Sequence, residues 1–136
     1  NEVYEGIEKL LKDLNKLNYR LAVATSKPIV YAKQILDFFN LSKYFEVIVG
    51  SELDGTRSAK GDVIEEVLKQ MKIEKKDQCV MIGDRKHDLI GASENGIDSI
   101  GVTYGYGSQQ ELEDANATYI VHSVDSLSII FGKEAK

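Results

Sequence analysis

Apolar positions along this chain alternate between two spacings. Ile7, Leu10, Leu11, Leu14 and Leu17 recur at helical intervals, which predicts an amphipathic helix over residues 5–17. The short apolar run "RLAVAT" then predicts a buried strand ending near Thr25. "SKPIVYAKQILDFF" predicts a second helix, with Pro28 tolerated in its first turn. "FEVIVG" predicts the next strand, and "SELDGTRSAKG" a polar loop. Ile64, Val67, Leu68 and Met71 mark a third helix, followed by the strand "QCVMIG" and the loop "DRKHD". "LIGASEN" is a short helix stopped by Gly96, and "DSIGVT" a strand. After the glycine-rich loop "YGYGS", Ser108 and Glu111 have the spacing of a capping box for a helix from Gln109. "TYIVH" is a last strand and "SVDSLSIIF" a last short helix.

Strands therefore alternate with helices throughout. The strands are nearly continuous apolar runs, as expected where both sheet faces are covered. The fold class implied is α/β, a doubly wound parallel sheet. No repeat, low-complexity segment or internal linker interrupts it, so residues 1–136 read as a single domain.

Composition adds a few exclusions. The chain is 43% hydrophobic and 29% charged, a globular balance. The net charge of −5 is spread over interspersed acids and bases. No basic run is long enough to track a nucleic-acid backbone, and no apolar stretch approaches the length of a membrane span. No signal peptide is visible. The single cysteine, Cys79, has no internal partner and lies in the apolar run "CVMIG", which suggests a small core residue and a reducing, cytoplasmic setting.

In doubly wound sheets ligands bind beyond the carboxyl ends of the strands. At those ends lie Thr25, Ser26 and Lys27; then Lys60, opening a helix; then Asp84 with Asp88 four residues on; then the glycine loop. A phosphate needs a hydroxyl, backbone N–H groups and a fixed ammonium. A magnesium ion needs carboxylate, water and phosphate oxygen. Together these residues suggest metal-assisted phosphate chemistry. Each has a plainer reading as well. Thr25 and Ser26 could cap the following helix, Lys60 could be a solvated lysine, and Asp88 could cap "LIGASEN". Asp84, directly after a strand, is the hardest to explain structurally. The glycine loop could cradle an anion or simply turn into a helix. His87 reads as an exposed loop residue and His122 as a strand-end residue, neither with a cluster that suggests zinc.

In their order, "LAVATSKP", "KGDVIEEVL", "MIGDRKHDLIGASENGI" and "GVTYGYGSQQEL" resemble the haloacid dehalogenase superfamily, specifically its phosphoglycolate-phosphatase-like branch. These stretches span nearly the whole chain, and "GDRKHD" is the most specific of them. The resemblance implies that the Thr25 hydroxyl and the Ser26 backbone N–H bind the transferring phosphoryl group. It implies that Lys60 offsets negative charge on nucleophile and phosphate. Asp84 is then a magnesium ligand, and Asp88 orients metal-bound water or Lys60. It further implies an aspartyl-phosphate intermediate, Mg2+ as cofactor and a small phosphorylated metabolite as substrate.

The first motif of that family, Asp-x-Asp-Gly-Thr, precedes all the others on a central strand, usually with a cap domain inserted after it. This chain starts after both. "SELDGT" imitates the motif, with Glu52 and Asp54 in the acid positions, but it follows the threonine and only just precedes Lys60. Glu52 and Asp54 are therefore expected not to be catalytic. The 136 residues alone are expected to be inactive. By the family's strand order, the nucleophile's strand runs between the strand ending at Thr25 and the one ending at Gly83. Without it the chain should aggregate, swap a strand with another copy, or pair those two strands directly. Alternatives carried alongside are a phosphoglucomutase-like or phosphonate-cleaving relative and a non-catalytic binding module. A response-regulator-like receiver lacks support, because "RLAVAT" has no acidic pair at its end.

Overall fold

The computed structural model describes residues 6–52 and 59–134. Its elements alternate as the apolar pattern demands: α1 (Ile7–Lys16), β1 (Ala22–Pro28), α2 (Ile29–Phe38), β2 (Val47–Ser51), α3 (Lys60–Gln70), β3 (Val80–Gly83), α4 (Lys86–Glu94), β4 (Asp98–Val102), α5 (Gln109–Asp114), β5 (Tyr119–Val121) and α6 (Val124–Glu134). Among the described residues no helix is long and apolar enough to cross a membrane.

All strand pairings are parallel, but the strands form two sheets rather than one. β1 lies beside β2, with Ala22, Val23 and Ala24 opposite Val47, Ile48 and Val49. β4 lies between β3 and β5, with Val80–Gly83 opposite Asp98–Gly101 and Ile100–Val102 opposite Tyr119–Val121. Direct pairing of β1 with β3, one of the outcomes expected from the sequence, does not occur. Each of these two strands has one edge unpaired among the described residues. Burial follows the same division. Ser99–Val102 of β4 are buried, whereas Ala22–Ala24 of β1 and Val80–Ile82 of β3 remain half-exposed despite their apolar sequences.

Each sheet has its own core. Leu10 and Leu14 of α1, Ile100 and Val102 of β4, Val121, and Leu127 and Phe131 of α6 form one cluster. Burying side chains of this kind contributes roughly 1.5–3 kcal/mol apiece. On the other face of β4, Gly101 leaves room for Leu112 of α5: a Cβ there would lie 3.1 Å from a Leu112 methyl. Val49 of β2 packs with Val63, Val67 and Met71, which lie along and just beyond α3. Gly50, on the opposite face, lets Ile29 of α2 approach. Helices thus cover both faces, as the doubly wound reading requires.

The two sheets are joined through α3 and α4. The helices cross where two glycines meet, and a Cβ on Gly91 would lie 3.0 Å from the Gly61 nitrogen. The Asn95 amide donates to the Gly61 and Gly91 carbonyls, at 2.9 Å each. Gly96, at φ +72°, ends α4 as expected from the sequence, because the left-handed region is open to glycine without steric cost.

Two boundaries differ from the sequence reading. β1 runs on to Pro28, and α2 starts at Ile29 with Pro28 as the preceding cap. The residue before a proline is pushed out of the helical region, so Lys27 stays extended and the helix cannot begin at Ser26. α4 begins at Lys86, which takes His87 and Asp88 out of the expected loop and into its first turn. Cys79 is half-exposed just before β3 rather than buried in the core.

Candidate active site

Of the residues singled out in the sequence, Lys60 is the one that connects the two sheets, reaching β1 on one side and α4 on the other. Lys60, the first residue of α3, extends its ammonium to the Ala24 carbonyl of β1 at 3.3 Å. The same ammonium makes a short ion-paired hydrogen bond to Asp88 Oδ1. Both side chains are nearly buried, with 13% and 10% of their surface exposed. A lysine so placed is not the solvated default; it bridges β1 to α4.

Asp88 uses its second oxygen as well. Oδ2 accepts the backbone N–H groups of Asp84 at 3.1 Å and Arg85 at 3.3 Å. It therefore caps α4, as one sequence reading had it, and pairs with Lys60, as the other did. The two roles use different oxygens. Its fit against β3 is tight: a Cβ on Gly83 would lie 2.3 Å from Asp88 Cβ.

Asp84 is half-buried and held by the loop after β4. Its Oδ2 accepts the Tyr106 N–H at 3.0 Å, and its carbonyl accepts the Gly107 N–H at 2.9 Å. Glycine is required on that loop, because a Cβ on Gly105 would lie 2.3 Å from Asp84 Cβ and one on Gly107 2.1 Å from the Asp84 carbonyl oxygen. The glycine loop thus spends these N–H groups on Asp84 rather than on an anion. No hydrogen bond from the described residues reaches Asp84 Oδ1. That oxygen is open to a hard cation, for which one or two carboxylates plus water and phosphate oxygen suffice. Among the described residues no group of three or more His, Cys, Asp or Glu could hold a metal by itself.

Thr25 is half-buried and its Oγ1 accepts the Lys27 N–H at 3.1 Å. It caps no helix, and neither does Ser26, which lies exposed one residue further along β1. Ala24, next to Thr25, is the residue whose carbonyl Lys60 touches. Lys60 thus links β1 next to Thr25 to Asp88, and Asp88 in turn holds the Asp84 N–H; Ser26 follows Thr25 along β1. His87 is exposed, as expected, but helical. His122 lies just past β5, with Nδ1 2.7 Å from Thr103 Oγ1.

Glu52 directly follows β2, on the far side of β1 from its unpaired edge; Asp54 lies outside the described residues. In the full-length protein, Glu52→Gln is expected to keep hydrolysis of an aryl phosphate within a few fold of the unsubstituted enzyme. A loss of about a hundredfold, the scale of a catalytic acid or base, would contradict this placement.

Sequence reasoning missed the support around Asp84. Glu111 was expected to close a capping box. Its N–H does bond Ser108 Oγ, at 3.1 Å. Its carboxylate, however, leaves its own helix and meets Arg85 Nε at 2.9 Å and the Lys86 N–H at 2.8 Å. The Arg85 guanidinium holds the Glu111 carboxyl below the usual carboxylate range, with the Lys86 N–H adding to the effect. Only the glycine spacing around Asp84 hinted at so crowded a loop.

The family model for haloacid dehalogenase-like hydrolases matches residues 1–102. The chain belongs to the haloacid dehalogenase-like family. Within the family it resembles the phosphoglycolate-phosphatase-like branch; one such phosphatase, from Colwellia psychrerythraea, is 28% identical over 93% of this chain and 56% of its own length. A crystal structure of a predicted phosphatase from Clostridium acetobutylicum superimposes with a TM-score of 0.94, at 52% identity, over 97% of this chain and 61% of that one. A 5′-nucleotidase of Pseudomonas aeruginosa is 46% identical over 88% of this chain and 53% of its own. The tyrosine-protein kinase PtkA of Mycobacterium tuberculosis is 40% identical over 97% of this chain and 46% of its own. The chain thus spans about half the length of the curated relatives it matches.

Proposed function

We propose that this chain forms the phosphate- and metal-binding part of a magnesium-dependent phosphatase that hydrolyses a small phosphorylated metabolite. The observation that carries the reading is the Lys60 bridge. A nearly buried ammonium joins Ala24 of β1 to Asp88, and the Asp84 carboxylate is fixed just after β3. In this reading a further strand pairs with the unpaired edges of β1 and β3 and brings a nucleophilic aspartate to the same site.

The roles follow from chemistry. The aspartate carboxylate attacks phosphorus and the P–O bond to the alcohol breaks, leaving an acyl phosphate on the protein. Water then attacks phosphorus, releasing phosphate and regenerating the carboxylate. Thr25 Oγ1 and the Ser26 N–H hold phosphoryl oxygens. Lys60 stabilises the negative charge gathered between nucleophile and phosphoryl group, and Asp88 fixes that ammonium. Asp84 is the residue that would hold Mg2+, whose charge would balance the phosphoryl oxygens in the transition state. The named relatives include a nucleotidase, a tyrosine kinase and a phosphoglycolate phosphatase, so the proposed ester is given only by class, a phosphate monoester of a small metabolite.

The test is an assay of the full-length protein against aryl phosphate, phosphoglycolate, a nucleoside monophosphate, pyrophosphate and a phosphotyrosine peptide, with and without Mg2+. Magnesium-dependent release of phosphate from one or more of the small esters is expected. Release from none of them at millimolar Mg2+ would favour a non-catalytic binding module.

A further inference from the structure

We infer that Glu111 is a positioning residue for Asp84, acting by clamping the first turn of α4 and by keeping Arg85 away from the metal ligand. The inference rests on the phosphatase reading above and adds a residue to it.

Asp84 is held from several directions. Its N–H is bonded by Asp88 and its carbonyl by Gly107, while Tyr106 holds one carboxylate oxygen. The chain immediately after it, Arg85–Lys86, is held by Glu111. A single oxygen, Oε2, takes both the Arg85 Nε–H at 2.9 Å and the Lys86 N–H at 2.8 Å. The Ser108 cap fixes the first turn of α5, so the carboxylate is presented from a braced helix end. A Cβ on Gly107 would lie 3.0 Å from this Oε2 as well as 2.1 Å from the Asp84 carbonyl oxygen, so the clamp and the Asp84 loop are in contact. The carboxylate also lies at the N-terminal, positive end of α4, where an anion is favoured.

The second part concerns charge. Arg85 is the neighbour of Asp84 in sequence, and its guanidinium feels both Asp84 and Asp88. An arginine free to rotate there would offer a bidentate partner to the carboxylate that a cation needs. Glu111 engages that guanidinium instead. Removing Glu111 should therefore loosen the Asp84 loop and release a competitor for its carboxylate. Groups that orient a metal ligand in this way change metal affinity by about 10- to 100-fold when removed.

The test uses the full-length protein and two readouts, the Mg2+ dissociation constant from calorimetry and the Mg2+ concentration for half-maximal aryl phosphate hydrolysis. Glu111→Ala is expected to raise both by about tenfold, with KM for the ester at saturating Mg2+ unchanged within about twofold. Glu111→Gln keeps an oxygen for the Lys86 N–H but loses the ion pair, and should fall between. Glu113→Ala, on the same helix but bonded to Gln109, should change neither readout and so controls for net charge. Should Glu111→Ala fail to fold, Glu111→Gln carries the test alone. Equal Mg2+ affinity in the unsubstituted protein and the Glu111 variants, with only a lower melting temperature in the variants, would overturn the inference and leave the phosphatase reading standing. An unsubstituted protein that neither binds Mg2+ nor needs it for turnover would overturn both.

Discussion

Lys60→Met in the full-length protein should lower turnover by a hundredfold or more and lower stability at the same time. The catalytic loss follows from removing a preorganised positive charge aimed at the phosphoryl group, an effect typically of 10²–10³. The stability loss follows from burial. Lys60 and Asp88 have side chains only 13% and 10% exposed, and breaking such a pair from one side strands a charge at a cost of about 3 kcal/mol or more. The two losses can be separated. In Lys60→Met/Asp88→Asn the amide oxygen can still accept the Asp84 and Arg85 N–H groups that Asp88 Oδ2 accepts now, and no unpaired charge remains. The double variant should therefore regain most of the stability in a denaturant titration while staying inactive. If activity returned along with stability, Lys60 would be a structural brace only.

The second large effect is expected at Asp84. Asp84→Asn should raise the Mg2+ concentration for half-maximal activity by well over tenfold, whereas Asp88→Asn should raise it much less while lowering the maximal rate. The reason lies in how the oxygens are used. Both oxygens of Asp88 are taken, one by Lys60 and one by two backbone N–H groups. Asp84 accepts a single N–H from the described residues, through Oδ2. A direct ligand supplies charge to the ion, and a neighbouring acid only orients what is bound. Equal small shifts in both variants would mean that both acids serve only to cap α4 and fix its loop.

Much of this arrangement could be read from the sequence, for physical reasons that apply residue by residue. "LAVA", "VMIG" and "SIGV" are apolar on consecutive positions, so they demanded strands covered on both faces. Gly96 demanded a helix end. Asp84 follows β3 and Lys60 opens α3, as the sequence pattern predicts, whereas Thr25 lies within β1 and Asp88 within the first turn of α4. What escaped was tertiary. A run of apolar residues gives a strand but not its neighbours, so the division of the sheet between β1 and β3 appears only in the structure. Glu111 has the spacing of a local cap, and nothing in that spacing indicates that its carboxylate crosses to α4. The extension of β1 to Pro28 was readable in principle, since Lys27 precedes a proline, but helical periodicity was weighted above that local constraint. For Asp88 and Thr25 the plain and the functional readings were both open. The structure shows Asp88 bonded both to Lys60 and to the N-terminal end of α4, and it removes the helix cap for Thr25.

The account is tested most directly by a crystal structure of the full-length protein with Mg2+ and orthovanadate. It predicts a Mg2+ ion bound by an Asp84 carboxylate oxygen at about 2.0–2.1 Å. It predicts vanadate oxygens on Thr25 Oγ1, the Ser26 N–H and the Lys60 ammonium, and a parallel strand hydrogen-bonded to both β1 and β3 with an aspartate facing vanadium. Vanadate and Mg2+ bound elsewhere, or a β1–β3 edge filled by a strand with no carboxylate at this site, would contradict it.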